Sequence, residues 1–73
     1  RRVAEVRLHE LGQLEISDVD LSALKAAGIV NRNTIRAKVI ASGKIERVVV
    51  LRGISATKGA REAIEQAGGR VES

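Results

Sequence analysis

Basic side chains, the groups that bind phosphate, are concentrated in the middle of this 73-residue sequence. Residues 21–61 contain nine lysines and arginines against one acid, Glu46, so this middle segment carries a net charge of +8. The segments before and after it each carry a net charge of −2. Such clustering is typical of a polyanion-binding surface, although a basic surface that only maintains solubility remains an alternative. The predicted phosphate-binding residues are Arg32, Arg36, Lys38, Lys44, Arg47, Arg52, Lys58 and Arg61.

Residues for catalysis, metal binding or nucleotide binding are scarce. His9 is the only histidine, and a single histidine beside a possible helical turn is typical of a surface position rather than of a catalytic base. The chain has no cysteine, which removes thiol nucleophiles and thiolate metal sites. The segment "GISATKGA" has a Lys-Gly pair but not the spacing of a phosphate-binding P-loop. We therefore expect no enzymatic activity, no metal or cofactor, and no small-molecule substrate.

The absence of phenylalanine, tyrosine and tryptophan restricts how the chain can contact nucleic acid. Proteins that bind single strands stack the bases on aromatic side chains, so this sequence instead predicts contact with phosphates and sugars of folded RNA or a duplex. Lys58 is predicted in the first turn of the last helix, where unpaired N–H groups favour an anion, and Gly59 permits close approach of another chain. Alternatively, Lys58 and Arg61 only pair with Glu62 and Glu65 on the same helix.

Four predicted strands must position these cations. The segment "VAEVRL" (residues 3–8) alternates apolar and polar side chains, which is typical of a half-buried strand. Segments 35–41 and 46–52 are rich in β-branched residues and flank a turn centred on Gly43, so both predict strands. Arg36 and Lys38 share a partly solvent-facing side of the first. The unbroken "VVVL" of the second indicates a central strand covered on both faces, and "RVES" predicts a short final strand.

Two helices are predicted from the residues at their ends. Asp20 suits the N-cap of a helix of about two turns that ends at Gly28. Thr57 suits the N-cap of a second helix, which carries an apolar stripe of alanine and isoleucine and ends at Gly68. The segment between residues 9 and 16 is ambiguous, because its leucines recur at helical spacing but Gly12 interrupts them. These elements predict an α/β fold, with residues 1–73 forming one small domain.

Composition also favours a cytoplasmic location. The chain lacks cysteine, its longest apolar runs fall well short of the roughly 18 residues of a membrane span, and its first residues lack the apolar region of a signal peptide. We therefore expect no membrane partner. Because the sequence does not begin with methionine, we expect it to be a processed or truncated piece of a longer protein.

A protein-interaction module is the alternative function. The segment "IEQAGGRVES" (residues 64–73) combines a helix that ends in Gly-Gly with a following Arg-Val strand. This arrangement resembles the exit of the first helix in BRCT-type modules. The similarity stops at these residues, because the chain has no tryptophan for the later helix in which that family usually carries one.

Motifs spread over nearly the whole chain resemble a different family. The segments "AEVRLHEL", "VDLSALKAAGIV" and "VLRGISATKGAREAIEQAGGRVE" are similar, one after another, to the C-terminal globular domain of bacterial large-subunit ribosomal protein fifteen. The spacing of this many matched positions makes a chance similarity improbable. The positions that resemble the signature of that family are Lys38, Val39, Ile40, Gly43, Ile45, Val48, Val50, Thr57, Ala60, Ile64, Gly68 and Gly69.

This resemblance implies a wound fold and a ribosomal role. The family's domain is an irregular β-β-α superhelix of short strands and two to three short helices, seated on large-subunit ribosomal RNA beside neighbouring large-subunit ribosomal proteins. The resemblance therefore implies a non-catalytic structural constituent of the cytoplasmic ribosome that supports subunit assembly. The family also carries a Gly- and Arg-rich N-terminal arm, which is absent from these 73 residues and is expected to make most of the phosphate contacts.

Overall fold

Six short strands and three helices make up the described part of the chain, residues 3–72 of a computed structural model. The strands are β1 (Val3–Arg7), β2 (Asp18–Val19), β3 (Arg36–Ile40), β4 (Val50–Arg52), β5 (Ser55–Ala56) and β6 (Arg70–Glu72). The helices are α1 (Leu8–Leu11), α2 (Leu21–Ala26) and α3 (Lys58–Gln66).

The chain alternates between two parallel sheets. Sheet A has the strand order β1-β3-β5 and sheet B the order β2-β4-β6. Each strand therefore pairs with the strand two further along the chain and not with its neighbour in sequence. In sheet A, Glu5 lies beside Lys38, and Lys38 lies beside Ser55. In sheet B, Val50 lies beside Arg70. The predicted α/β class, in which short strands are wound together with short helices, is confirmed.

One aliphatic core is shared by both sheets and all three helices. The longer strands alternate buried and exposed residues, as in β3, where Ala37 and Val39 are buried and Arg36 and Lys38 are exposed. This alternation leaves one face of each sheet directed outward. The other fully or almost fully buried side chains are Val6, Leu8, Leu11, Val19, Leu24, Val49, Leu51, Ile54, Ala60 and Ile64.

The helix ends agree with the sequence-based predictions. The carboxylate of Asp20 accepts a hydrogen bond at 2.8 Å from a backbone N–H in the first turn of α2. The hydroxyl of Thr57 accepts one at 3.3 Å from the first turn of α3. Gly28 and Gly68 follow these helices with φ of 76° and 98°, the left-handed conformation that glycine adopts at little cost. The first residues of the ambiguous segment belong to α1, which ends at Leu11 and is followed by Gly12 as its C-cap.

The strand predicted over residues 46–52 is largely wrong. Only Val50–Arg52 forms β4, and residues 41–49 form an irregular crossover from sheet A to sheet B. β4 is the central strand of its sheet, as predicted, but it is not covered on both faces, since Leu51 is buried whereas Arg52 is exposed. Val48, in the crossover just before it, is 49% exposed. A Cβ at Gly68 would lie 3.2 Å from a Val48 methyl group. The space beside this methyl group is therefore occupied by a residue without a side chain.

Candidate nucleic-acid interface

The outward face of sheet A gathers basic side chains. Arg36 and Lys38 lie two residues apart on the same side of β3, and both are exposed. The pairing of β1 with β3 sets exposed Arg7 diagonally beside Lys38 and sets Glu5 directly beside it. Residues on one side of a strand are about 7 Å apart, because each residue advances the strand by roughly 3.3 Å. We call this group of three cations and one carboxylate (Glu5, Arg7, Arg36 and Lys38) the basic face.

Arg7 is not among the predicted phosphate-binding residues, because that prediction took cations only from the basic middle segment. Its own segment, residues 1–20, has a net negative charge. The alternation of "VAEVRL" already places Arg7 on the polar side of a strand. The information that the sequence lacked is the pairing of β1 with β3, which brings this polar side next to Lys38.

Two further predicted cations, Lys58 and Arg61, extend from α3. They lie three residues apart, on the same side of the helix, and both are exposed. The ion pairs found within residues 3–72 involve neither of them. A Cβ at Gly59 would lie 3.2 Å from the Cβ of Ala41, so the first turn of α3 packs against the end of β3. Lys58 and Arg61 therefore lie next to the carboxyl end of sheet A. The close approach that Gly59 permits is made by Ala41 of the same chain.

Arg32 and Lys44 lie in two separate loops. Arg32 is exposed in the turn that leads into β3. Asn31 shapes this turn, because its side-chain oxygen accepts from the Asn33 N–H at 2.9 Å and its carbonyl accepts from the Thr34 N–H at 3.0 Å. Lys44 is exposed in the crossover 41–49. Neither cation belongs to the basic face.

Arg47 has partners within the chain. Its guanidinium donates to the carbonyl of Leu11 at 3.2 Å and to the carbonyl of Ile16 at 2.5 Å. The first carbonyl lies at the end of α1 and the second lies just before β2. The side chain thus connects the crossover 41–49 to both segments, a structural role that uses two of its N–H donors.

The outward face of sheet B is neutralised by its own charges. Arg52 pairs with Asp18 at 3.3 Å and with Glu72 at 2.7 Å, and Arg70 also pairs with Glu72. The hydrogen bond from Arg70, with a further contribution from the charge of Arg52, holds the pKa of Glu72 below its ordinary value, despite an opposing effect of desolvation. These are the only side-chain ion pairs within residues 3–72. We call the four residues the paired face; its two cations and two carboxylates leave no net charge.

His9 lies at the surface, as predicted. Its ring packs against Gly43, where a Cβ would lie 2.8 Å from Nδ1. Among the residues described, no group of three histidine or carboxylate side chains could hold a metal ion. The helices of this part of the chain are all too short to span a bilayer.

Comparison with models of protein families shows which family the chain belongs to. A family model described as "Ribosomal proteins 50S-L15, 50S-L18e, 60S-L27A" matches residues 5–72. The chain belongs to this ribosomal protein family. The match runs from β1 to β6, so both the basic face and the paired face lie within it.

Individual relatives agree with this assignment. A protein from Aeromonas salmonicida called "Large ribosomal subunit protein uL15" is 58% identical over 69 residues, which cover 94% of this chain and 48% of the relative. A protein of the same name from Halorhodospira halophila is 56% identical over 70 residues, which cover 96% of this chain and 48% of the relative. The chain thus spans about half the length of the curated relatives it matches.

Membership of this ribosomal protein family confirms the resemblance seen in the sequence motifs. Neither the family match nor these relatives support the BRCT-type alternative, which depended on residues 64–73 alone. In the structure, the Gly-Gly of that segment joins α3 to β6, the edge strand of sheet B.

Proposed function

We propose that this chain is a structural constituent of the large ribosomal subunit that binds folded large-subunit ribosomal RNA and supports subunit assembly. Its family membership supports the proposal, since the relatives are called large ribosomal subunit proteins. The residues that support RNA binding most directly are those of the basic face. Three exposed cations with a single acid among them can neutralise phosphates and release their counterions. The role implies a ribosomal, cytoplasmic location and requires no enzymatic activity, cofactor or small-molecule substrate.

We assign the main phosphate contacts to cations that the fold leaves exposed and outside its ion pairs. They are Arg36, Lys38, Lys58 and Arg61 of the predicted set, with Arg7 added. Arg32 and Lys44 extend the contact from their loops. Arg47 and Arg52 also belong to the predicted set, but their donors already serve carbonyl and carboxylate oxygens, so we expect them to contribute less.

We further propose that residues 1–73 form the C-terminal globular domain of a longer protein. The half of the relatives' length that the chain does not span leaves room for a Gly- and Arg-rich arm, which would supply most of the phosphate contacts. The basic face would then orient the domain on the RNA. The paired face has no net charge and would suit a neighbouring ribosomal protein, whose contacts depend less on attraction to a polyanion.

Filter binding to large-subunit ribosomal RNA over a series of salt concentrations tests the proposal. We expect affinity to fall steeply with salt, and replacement of Lys58 and Arg61 by glutamine to reduce the log-log slope by about 1.5 in all, since each phosphate contact contributes about 0.7 to 0.9. The same variant should incorporate less well into reconstituted subunits. Salt-tolerant binding to a protein, with no retention of RNA, would contradict the proposed function.

A further inference from the structure

Glu46 is the one acid of the basic middle segment, and phosphate binding does not explain it. A carboxylate among nine cations repels the RNA backbone and lowers the affinity of the surface for phosphate. Glu46 is exposed, and the ion pairs found within residues 3–72 do not include it. Its negative charge is therefore available to a ligand.

Glu46 lines an open pocket of about 290 Å³ between the crossover 41–49 and α3. The apolar side chains that line the pocket are buried or half-buried and form its floor. The polar side chains are exposed and form its rim. The floor consists of Ile45, Ala63 and Ala67, and the rim of Lys44, Glu46 and Gln66. We call this the Glu46 pocket.

The segment that carries Glu46 is fixed on both sides. Before it, Gly43 has φ of 84°, and a Cβ there would lie 2.8 Å from Nδ1 of His9, so glycine is required at this contact. After it, Arg47 is held by the carbonyls of Leu11 and Ile16. The wall of the pocket is therefore formed before a ligand arrives, which reduces the entropic cost of binding.

We propose that the Glu46 pocket receives one unpaired nucleobase of the bound RNA and that it prefers guanine. This inference rests on the proposed function and adds base recognition to it. Sequence-specific recognition of RNA relies on unpaired bases that hydrogen-bond through their exposed edges. The Watson–Crick edge of guanine presents two adjacent N–H donors, at N1 and N2, which match the two oxygens of the Glu46 carboxylate.

The other rim residues complete this recognition. The guanine O6 accepts, so it suits the side-chain amide of Gln66, while the ammonium of Lys44 neutralises a phosphate of the same strand. The apolar floor packs against the ring in place of the aromatic side chains that the chain lacks. Adenine and cytosine place an acceptor beside their amine, where the carboxylate would be repelled, and uracil offers a single N–H between two acceptors.

Four RNA hairpins of identical stem, each with a single bulged G, A, C or U, test the pocket against the 73-residue chain. We expect the chain to prefer the G bulge by at least about fivefold, as one matched pair of hydrogen bonds provides. Glu46→Gln should abolish this preference and leave the salt slope unchanged. Gln66→Ala should reduce it. Glu62→Gln is the matched control, because Glu62 is exposed on α3 and does not line the pocket.

Three results would overturn the inference in distinguishable ways. If Glu46→Gln strengthens binding to all four hairpins by the same factor as Glu62→Gln, Glu46 is only a repelling charge. If the unaltered chain binds all four hairpins equally but with a steep salt slope, the pocket does not receive a base, and the proposed function stands. A chain that shows no salt-dependent binding either to the hairpins or to large-subunit ribosomal RNA would overturn both proposals.

Discussion

The two sheets have the same plan but present opposite electrostatic surfaces. Each consists of three parallel strands that turn one face to the shared core and the other outward. On sheet A, Arg36 and Lys38 face outward with Arg7 beside them, whereas on sheet B each arginine has a carboxylate as an immediate partner. A parallel sheet by itself therefore favours neither unpaired cations nor ion-paired ones. The residues that the pairing of strands brings together decide whether a cation is available to a partner.

The comparison shows why the net charge of a segment is an incomplete guide to binding. Arg52 belongs to the same +8 segment as Arg36 and Lys38. Its partners are Asp18 and Glu72, which lie 34 and 20 residues away in the two acidic flanks of the sequence. The flanks therefore neutralise one part of the basic segment and leave another part exposed.

The largest expected effect comes from a change that disrupts sheet B alone. A Cβ at Gly69 would lie 2.9 Å from the backbone N and C of Val49 and closer still to its carbonyl oxygen. Gly69→Ala must therefore push the start of β6 away from the residue that precedes β4, and we expect it to lower the free energy of unfolding by about 3 kcal/mol or more in urea titrations.

Gly12→Ala is the control for Gly69→Ala. A Cβ at Gly12 would make only an ordinary contact, 3.4 Å from the carbonyl oxygen of His9, and the φ of −64° suits any residue. We expect its stability to match that of the unaltered chain within about 0.5 kcal/mol. If both alanine variants unfold at the same urea concentration, the close packing of β6 against β4 is not required.

The difference between the two faces predicts different salt dependence. Replacing Arg7, Arg36 and Lys38 with glutamine should reduce the log-log salt slope of RNA binding by about 2 to 3. Replacing Arg52 and Arg70 with glutamine should leave the slope nearly unchanged. Equal losses from the two variants would show that both faces contact phosphate and would remove the distinction between them.

Arg47→Lys separates a structural cation from a binding cation. Lysine keeps the positive charge but lacks the planar guanidinium group, whose two nitrogens donate to the two carbonyls. The variant therefore loses the hydrogen bonds that connect the crossover 41–49 to α1 and to the segment before β2. We expect the free energy of unfolding to fall by about 1 to 2 kcal/mol in thermal or urea denaturation, with little change in the salt slope. A smaller slope with unchanged stability would instead identify Arg47 as a phosphate contact.

The smallest expected effect is the pH dependence of the paired face. Arg70 and Arg52 lower the pKa of Glu72 in the folded state from an ordinary value of 4.5. The stability that this carboxylate contributes is therefore present above pH 4.5 and is lost as pH falls through the lowered pKa. In urea unfolding between neutral and acid pH, the free energy of unfolding of Glu72→Gln should fall less at acid pH than that of the unaltered chain. Glu62→Gln, outside the ion pairs, should keep the original dependence.

Local features were predictable from the sequence because their causes are local. The caps at Asp20 and Thr57, and the glycines after the helices, depend on residues within one turn. The pairing of strands depends on distant segments, so the short β4 and the place of Arg7 could not be predicted from local pattern. For the same reason, neither the partners of Arg47 nor the pocket at Glu46 could be foreseen, since each joins segments that are far apart in the sequence.

The alternation of strands between two sheets also sets the order in which this chain can fold. Sheet A is incomplete until β5 has formed, and sheet B is incomplete until β6, which ends at Glu72, has joined it. A chain that emerges gradually during synthesis can therefore pair β1 only once β3 has emerged, and it cannot complete sheet B until almost the last residue described here. Such distant pairing makes folding slow and cooperative, and it leaves a chain shortened at β6 with an open strand edge that can associate with other chains.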